Sequence, residues 1–220
     1  MLTYVFGFIY RNFAKRILFL LDPELVHEFV ISLAGFFGKS KTITNFLAKL
    51  FTIHSPFLKQ RIAGINFNSP IGLAAGFDYD AKLTQILYSL NFGFQTVGTI
   101  TNMPYNGNPK PRLGRLPKSK SLMVNKGFKN LGAEVIANKL AKLNFKIPLG
   151  ISIGQTNQRG KKIERSEIRR RRTAIEDILQ AFHIFEDSNI KSSYYELNIS
   201  CPNLFGNVTF YHPKNLDELL

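Results

Sequence analysis

From about residue 60 the sequence alternates short apolar runs with helical stretches, and nothing else in it limits the fold so strongly. Ile71–Ala75, Phe94–Ile100, Pro148–Ile153 and Tyr194–Ile199 read as buried strands, and Ala81–Leu90, Leu131–Leu143, Arg172–Asp187 and Asn215–Leu220 as helices that follow them. Strand, helix, strand, helix with short joints predicts parallel strands and right-handed crossovers. Arg61–Phe67 precedes these units as a small hairpin around Gly64. Four βα units are half of a (β/α)8 barrel, a fold that takes about 250 residues. The sequence closes on Leu216-Asp-Glu-Leu-Leu220, just inside a helix. The expectation is therefore either a small open sheet or the front part of a longer protein.

Residues 1–55 follow a different pattern and are expected to form a small helical domain ahead of an α/β domain over 56–220. Helices are predicted over Tyr4–Leu21, Pro23–Gly38 and Thr42–Phe51. Asp22-Pro23-Glu24 supplies an N-cap, a proline at the first helical position and an acid in the first turn. The first helix carries Tyr4, Phe6, Phe8, Tyr10, Phe13 and Phe19 with cations between them. That composition suits a helix lying on a membrane surface, and equally one packed on the rest of the protein. Arg11, Lys15 and Arg16 interrupt the apolar run, which argues against a signal peptide or a spanning helix. The lone cysteine excludes an intrachain disulfide and fits a reducing cytoplasm.

The ends of the predicted strands carry the candidate site. They read Ala74-Ala-Gly-Phe-Asp78, Val97-Gly-Thr-Ile-Thr101, Gly150-Ile-Ser-Ile-Gly-Gln-Thr-Asn157 and Asn198-Ile-Ser-Cys-Pro-Asn203. In parallel α/β folds ligands bind at this C-terminal rim. Four polar or glycine-rich ends in order point to a flat, hydrogen-bonding ligand. Cys201 is the best-placed reactive group, a nucleophile or general base as thiolate and an inert thiol if merely buried. The histidines His27, His54, His183 and His212 are scattered, and no metal-ligand spacing occurs. The net charge of +14 is uneven. Residues 101–130 hold seven Lys/Arg and no acid, among Gly, Pro and Asn turns suited to a site loop. A second basic run covers 159–172 and ends in Arg169-Arg-Arg-Arg172, which reads as a solvated face. Such charge draws phosphate, carboxylates, anionic lipid or nucleic acid.

These motifs resemble dihydroorotate dehydrogenase: Leu73-Ala-Ala-Gly-Phe-Asp78, Val97-Gly-Thr99, Pro109-Lys-Pro-Arg-Leu113, Gly127-Phe-Lys-Asn-Leu-Gly132 and Asn198-Ile-Ser-Cys-Pro-Asn203 stand in the family's order. Leu21-Asp-Pro-Glu-Leu-Val-His-Glu-Phe29 resembles the helical extension of its quinone-linked, membrane-associated class. The resemblance implies the N-terminal part, about four βα units, of an FMN-binding (β/α)8 (TIM) barrel preceded by a small helical domain. It implies oxidation of dihydroorotate to orotate in pyrimidine synthesis, with electrons passed to a quinone. Ala75, Gly76, Thr99, Ser152 and Asn198 then fall at FMN-binding positions. Asn125, Lys126, Gly127, Phe128, Asn198 and Asn203 fall at substrate-binding positions, and Cys201 where the family's base stands. No metal and no nucleic acid is expected. The expected location is cytoplasmic, peripheral on the inner face of the cell membrane.

The departures are specific. A cysteine base belongs to the soluble classes, whereas the helical preface belongs to the quinone-linked one. A lysine usual after Gly-x-Asp is Tyr79, and the third strand carries Ser152 where asparagine is expected. Lys126 is expected to replace the missing cation near the substrate carboxylate or flavin. The loops that grip the FMN phosphate fall beyond residue 220, so the chain is expected to need a C-terminal half and to be inactive alone. Two other readings fit parts of the sequence. A tRNA dihydrouridine synthase shares the Asn-x-x-Cys-Pro turn, but Asn203, Leu73-Ala-Ala-Gly76 and helices placed before the barrel speak against it. The other is a non-catalytic fragment or basic membrane-binding module.

Overall fold

A computed structural model describes residues 2–53, 55–159 and 166–220; His54 and the 160–165 part of the basic run lie outside the described residues. The chain opens with α1 (Leu2–Ile9), a π-helical turn (Tyr10–Ala14) and α2 (Lys15–Leu20), where one helix over Tyr4–Leu21 was expected. Asn12 accounts for the change of pitch. Its side-chain amide donates to the Phe8 carbonyl at 2.8 Å, the acceptor an α-helix gives to the Asn12 backbone N–H. Helix α3 (Pro23–Gly38) begins where Asp22 accepts from the Leu25 N–H at 2.9 Å, and α4 (Lys41–Phe51) where Ser40 accepts from Ile43.

Strands β1 (Gln60–Ile62) and β2 (Ile65–Phe67) form the expected hairpin. Strands β3 (Gly72–Leu73), β4 (Phe94–Ile100), β7 (Leu149–Ile153) and β8 (Tyr194–Leu197) form one parallel sheet in the order β3-β4-β7-β8. The basic loop holds an antiparallel hairpin that the sequence reading missed, β5 (Leu113–Leu116) with β6 (Ser121–Val124). Helices α5 (Ala133–Leu140) and α6 (Glu167–Glu186) cover one face of the sheet. Helix α7 (Pro213–Leu219) closes the described order. Helix α6 starts five residues earlier than Arg172, because Ser166 caps it by accepting from Arg169 and Glu167 sits in its first turn.

The helix expected over Ala81–Leu90 is a correction: only Leu87–Leu90 is helical, as a 3-10 turn. Ala81 takes a left-handed φ of 54°, and the buried Asp78 carboxylate accepts the Lys82 and Leu83 N–H groups at 2.7 and 2.8 Å. Those amides are therefore capped by a side chain rather than joined in a helical ladder.

The main core lies between sheet and helices. Val97, Ile100, Ile151 and Ile153 pack against Ile136, Leu140, Ile178 and Phe185. Each such side chain contributes about 1.5–3 kcal/mol on burial. A second cluster joins the preface to the sheet's foot, with Ile31 of α3 against Leu83, Ile86, Leu87 and Ile147. The opposite side of α3 presents Leu25, Phe29, Leu33 and Phe36 as an exposed apolar stripe at helical spacing. No helix among the described residues is long and apolar enough to cross a membrane.

Candidate active site

The C-terminal strand ends meet the β5–β6 hairpin and the 124–130 segment around a cavity of about 270 Å³. Ala75 and Gly76 follow β3, Thr99 is the penultimate residue of β4, and Asn198, Cys201 and Asn203 follow β8; all line it. Gly76 has φ 94°, and a Cβ there would meet nothing within 4 Å, so its backbone is bare toward a ligand. The Asn198 amide donates to Thr99 Oγ1 at 2.7 Å, and Thr99 Oγ1 lies 3.0 Å from Ser152 Oγ. Asn203 donates to the Val124 carbonyl at 3.0 Å, tying the Cys201 turn to the segment opposite. Burial pushes the Cys201 thiol above its ordinary range, against a backbone bond from Asn203 that favours the thiolate.

Cations enter from 124–130, and α3 decides how they are used. Glu28 accepts from Lys129 at 2.8 Å and from the Tyr79 hydroxyl, and Lys82 stands 3.7 Å away. Burial would raise the Glu28 carboxyl, yet Lys129 and Tyr79 bring it down to about 2. The buried Glu24 pairs with Arg112 at 3.2 Å and Lys129 at 3.8 Å. Lys126 differs. It is 8% exposed and, among the described residues, has no carboxylate within 4.0 Å. Its ammonium lies 4.5 Å from the Tyr79 ring centroid and 3.4 Å from His27 Nδ1. His27 Nε2 is 3.1 Å from the Phe77 carbonyl, so Nε2 carries the proton and Nδ1 accepts from Lys126. Burial lowers both groups, and Lys126 itself further disfavours a charged His27.

Of the residues singled out from sequence, Ala75, Gly76, Thr99, Lys126, Gly127, Phe128, Asn198, Cys201 and Asn203 line this cavity. Ser152 and Asn125 do not. Ser152 is fully buried beneath it, bonded to Thr99 and donating to Glu196 at 3.0 Å. Asn125 turns aside to accept from Asn108 at 2.9 Å. Sequence reasoning missed the supports Asn108 and Asn157. Asn108 also donates to the Asn203 carbonyl at 2.9 Å, and Asn157 to the Gly127 carbonyl at 3.1 Å. Gly127 (φ 67°) is pressed on both, since a Cβ there would stand 2.7 Å from their amides. Asn157 stood in the third strand end as a visible signal, whereas Asn108 was one asparagine among several loop residues. Among the described residues no group of three or more His, Cys, Asp or Glu is placed to hold a metal ion.

A parallel sheet with helices outside it and a ligand-sized cavity at its C-terminal rim defines the α/β class of the (β/α)8 barrels. The chain belongs to the dihydroorotate dehydrogenase family, whose model matches residues 57–220. It is 37% identical over 208 residues to a dihydroorotate dehydrogenase (quinone) of Thermus thermophilus, covering 93% of this chain and 56% of the relative. A Nitratiruptor protein of the same name is 37% identical over 197 residues, covering 87% of this chain and 51% of the relative. The crystal structure of DHODH in complex with ferulenol from Eimeria tenella superposes with a TM-score of 0.71 at 29% identity, covering 98% of this chain and 52% of that one. The chain thus spans about half the length of the relatives it matches, and the described sheet is about half of a TIM barrel.

Proposed function

We propose that the chain forms the wall of a dihydroorotate dehydrogenase site, oxidising dihydroorotate to orotate on FMN and passing the electrons to a quinone. One observation carries this reading: the Cys201 thiol, the Asn198 and Asn203 amides and the Lys126 ammonium converge on one cavity with the bare backbone of Gly76. The open glycine and the Thr99–Asn198 pair fit the edge of a planar flavin, with Ala75 beside them. A bound flavin supplies acceptance of the hydride from C6 of dihydroorotate. Cys201, as thiolate, takes the proton from C5, so the C5=C6 double bond forms as both C–H bonds break. That proton is α to a carbonyl, so a modest base suffices. Asn198 and Asn203 orient the ring of the substrate, and Lys126 meets its carboxylate. Gly127 and Phe128 form the wall across from Cys201, with Asn125 holding that segment from behind. Ser152 acts beneath the flavin by fixing the Thr99 hydroxyl.

Residues 1–55 serve as the quinone- and membrane-associated extension, and 56–220 as the catalytic part. The exposed stripe of α3 and the exposed Tyr4, Phe8, Phe13 and Ile17 support peripheral attachment to the inner face of the cell membrane. The test is anaerobic bleaching of the flavin by dihydroorotate, and its return on adding a soluble quinone, in this chain supplemented with a C-terminal barrel half, with Cys201→Ala alongside. Flavin bleaching that Cys201→Ala slows by about 10²-fold or more is expected. Bleaching that is indifferent to Cys201 would reject the assignment.

A further inference from the structure

Helix α3 meets the barrel with one face, formed at helical spacing by Glu24, His27, Glu28 and Ile31. Ile31 packs in the second core cluster, and the two acids hold Arg112, Lys129 and Lys82. His27 is the remaining member, and the redox chemistry gives it no role. It is not among the residues that line the active-site cavity, so any effect on a ligand passes through another side chain. Its imidazole joins the two segments that flank the cavity. Nε2 stands 3.1 Å from the Phe77 carbonyl, next to Gly76, and Nδ1 stands 3.4 Å from the Lys126 ammonium. The Phe77 ring lies edge-on to the imidazole at 4.9 Å and the Tyr79 ring stacks at 6.0 Å, which fixes its orientation.

The kind of group that α3 offers to Lys126 is what matters. An acid at position 27, as at 24 and 28, would close an internal ion pair with Lys126 and compete with a ligand carboxylate. A neutral acceptor holds one N–H and leaves the charge unneutralised. Burial, and then the Lys126 charge itself, lower His27 against the pull of Glu28, which keeps the imidazole neutral. The other neighbour of the ammonium is neutral too. The Tyr79 hydroxyl donates to Glu28, so its ring rather than its oxygen faces Lys126, at 4.5 Å.

We propose that His27 is a positioning residue, whose bare Nδ1 aims the Lys126 ammonium at the substrate carboxylate without neutralising it. The proposal rests on the carboxylate role given to Lys126 above. It gives the helical preface a part in choosing the substrate, besides the quinone and membrane association proposed for it. A ring without the carboxylate gains nothing from the arrangement.

The test titrates orotate and uracil into this chain supplemented with a C-terminal barrel half and FMN. His27→Asn keeps a neutral acceptor at the δ position, and His27→Asp puts a charge in the same volume. His27→Asp should weaken orotate by about tenfold or more and uracil by less than about threefold, whereas His27→Asn should hold both within about threefold. Equal orotate losses in the two variants would make the imidazole a packing group and overturn the proposal, as would no loss in either. Lys126→Met separates the two levels. If it leaves orotate affinity unchanged, the carboxylate role of Lys126 falls and the proposal with it. If it weakens orotate while His27→Asp does not, the role of His27 alone falls. A further measurement needs neither FMN nor a variant. With 15N in the imidazole of the unsubstituted chain, Nε2 should read as the N–H nitrogen and Nδ1 as the bare acceptor. The opposite tautomer, or a doubly protonated ring at neutral pH, would overturn the proposal.

Discussion

Lys126→Met, which keeps chain length and removes charge, isolates the anion-reading part of the active site. An ammonium has three donors, and His27 Nδ1 at 3.4 Å takes one at most. Among the described residues no carboxylate lies within 4.0 Å, so the buried ammonium has donors left for a group that enters the cavity. A charge-assisted hydrogen bond to a ligand carboxylate is worth about 1.5–3 kcal/mol, or roughly 10–150-fold in affinity. The Coulomb figure of about 4 kcal/mol at about 4 Å and an effective dielectric near 20 sets the ceiling. Calorimetric titration of orotate and of uracil, which lacks the carboxylate, into the FMN-loaded protein measures the difference directly. Orotate should weaken by about 10–150-fold and uracil by less than about threefold. Loss of both alike would make Lys126 a packing residue, and loss of neither would remove it from the site. A second readout concerns the free protein. Burial lowers the Lys126 ammonium, so above its folded value the unfolded chain holds a proton that the folded one has released. Stability from this group therefore rises with pH toward the ordinary lysine value near 10.4, and Lys126→Met abolishes that rise.

Because burial raises the Cys201 thiol, turnover that depends on its thiolate should keep climbing beyond the ordinary thiol value of about 8.5; a profile already flat at neutral pH would count against a thiolate base. Glu28 is held down at about 2, so its stabilising contribution is present above the ordinary carboxyl value of about 4.3 and lost as pH falls toward 2. Glu28→Gln should flatten the acid side of a denaturation-midpoint series, and an unchanged slope would show that the α3 contacts are not held in solution. Ile151 is fully buried between sheet and helices, so Ile151→Ala should cost about 2–5 kcal/mol in urea unfolding. A cost under about 1 kcal/mol would mean the site collapses around the truncation.

The parallel sheet was legible because apolar period and turn residues agree at every unit; Phe94–Ile100 is strand β4 to the residue. Helix α3 was equally legible, its start written in Asp22-Pro23. Ala81–Leu90 misled because its composition suits a helix, while Asp78, outside the window, takes the amides that a helix needs. The β5–β6 hairpin was obscured by the surrounding Pro, Gly and Lys residues, which mark turns more strongly than the four-residue strands mark themselves. In the site, the lining residues of three strand ends and of the 126–128 segment were found, and the supports behind them, Asn108 and Asn157, were not. Tyr79 was noted only as a substitution. Its role in bridging Glu28 and Lys126 depends on residues 51 and 47 positions away in sequence, beyond any local pattern.

The acids of α3 carry a consequence for how this chain can be taken apart. Glu24 and Glu28 precede the barrel, yet they are the counterions of Arg112, Lys129 and Lys82 on it. The preface therefore supplies acids that partly offset cations of the barrel, and the two are not interchangeable modules. A chimera with a preface lacking these two acids would leave three cations beside Lys126 uncompensated. Such a protein would keep its apolar contacts and fold, yet take up inorganic anions in place of a selected carboxylate.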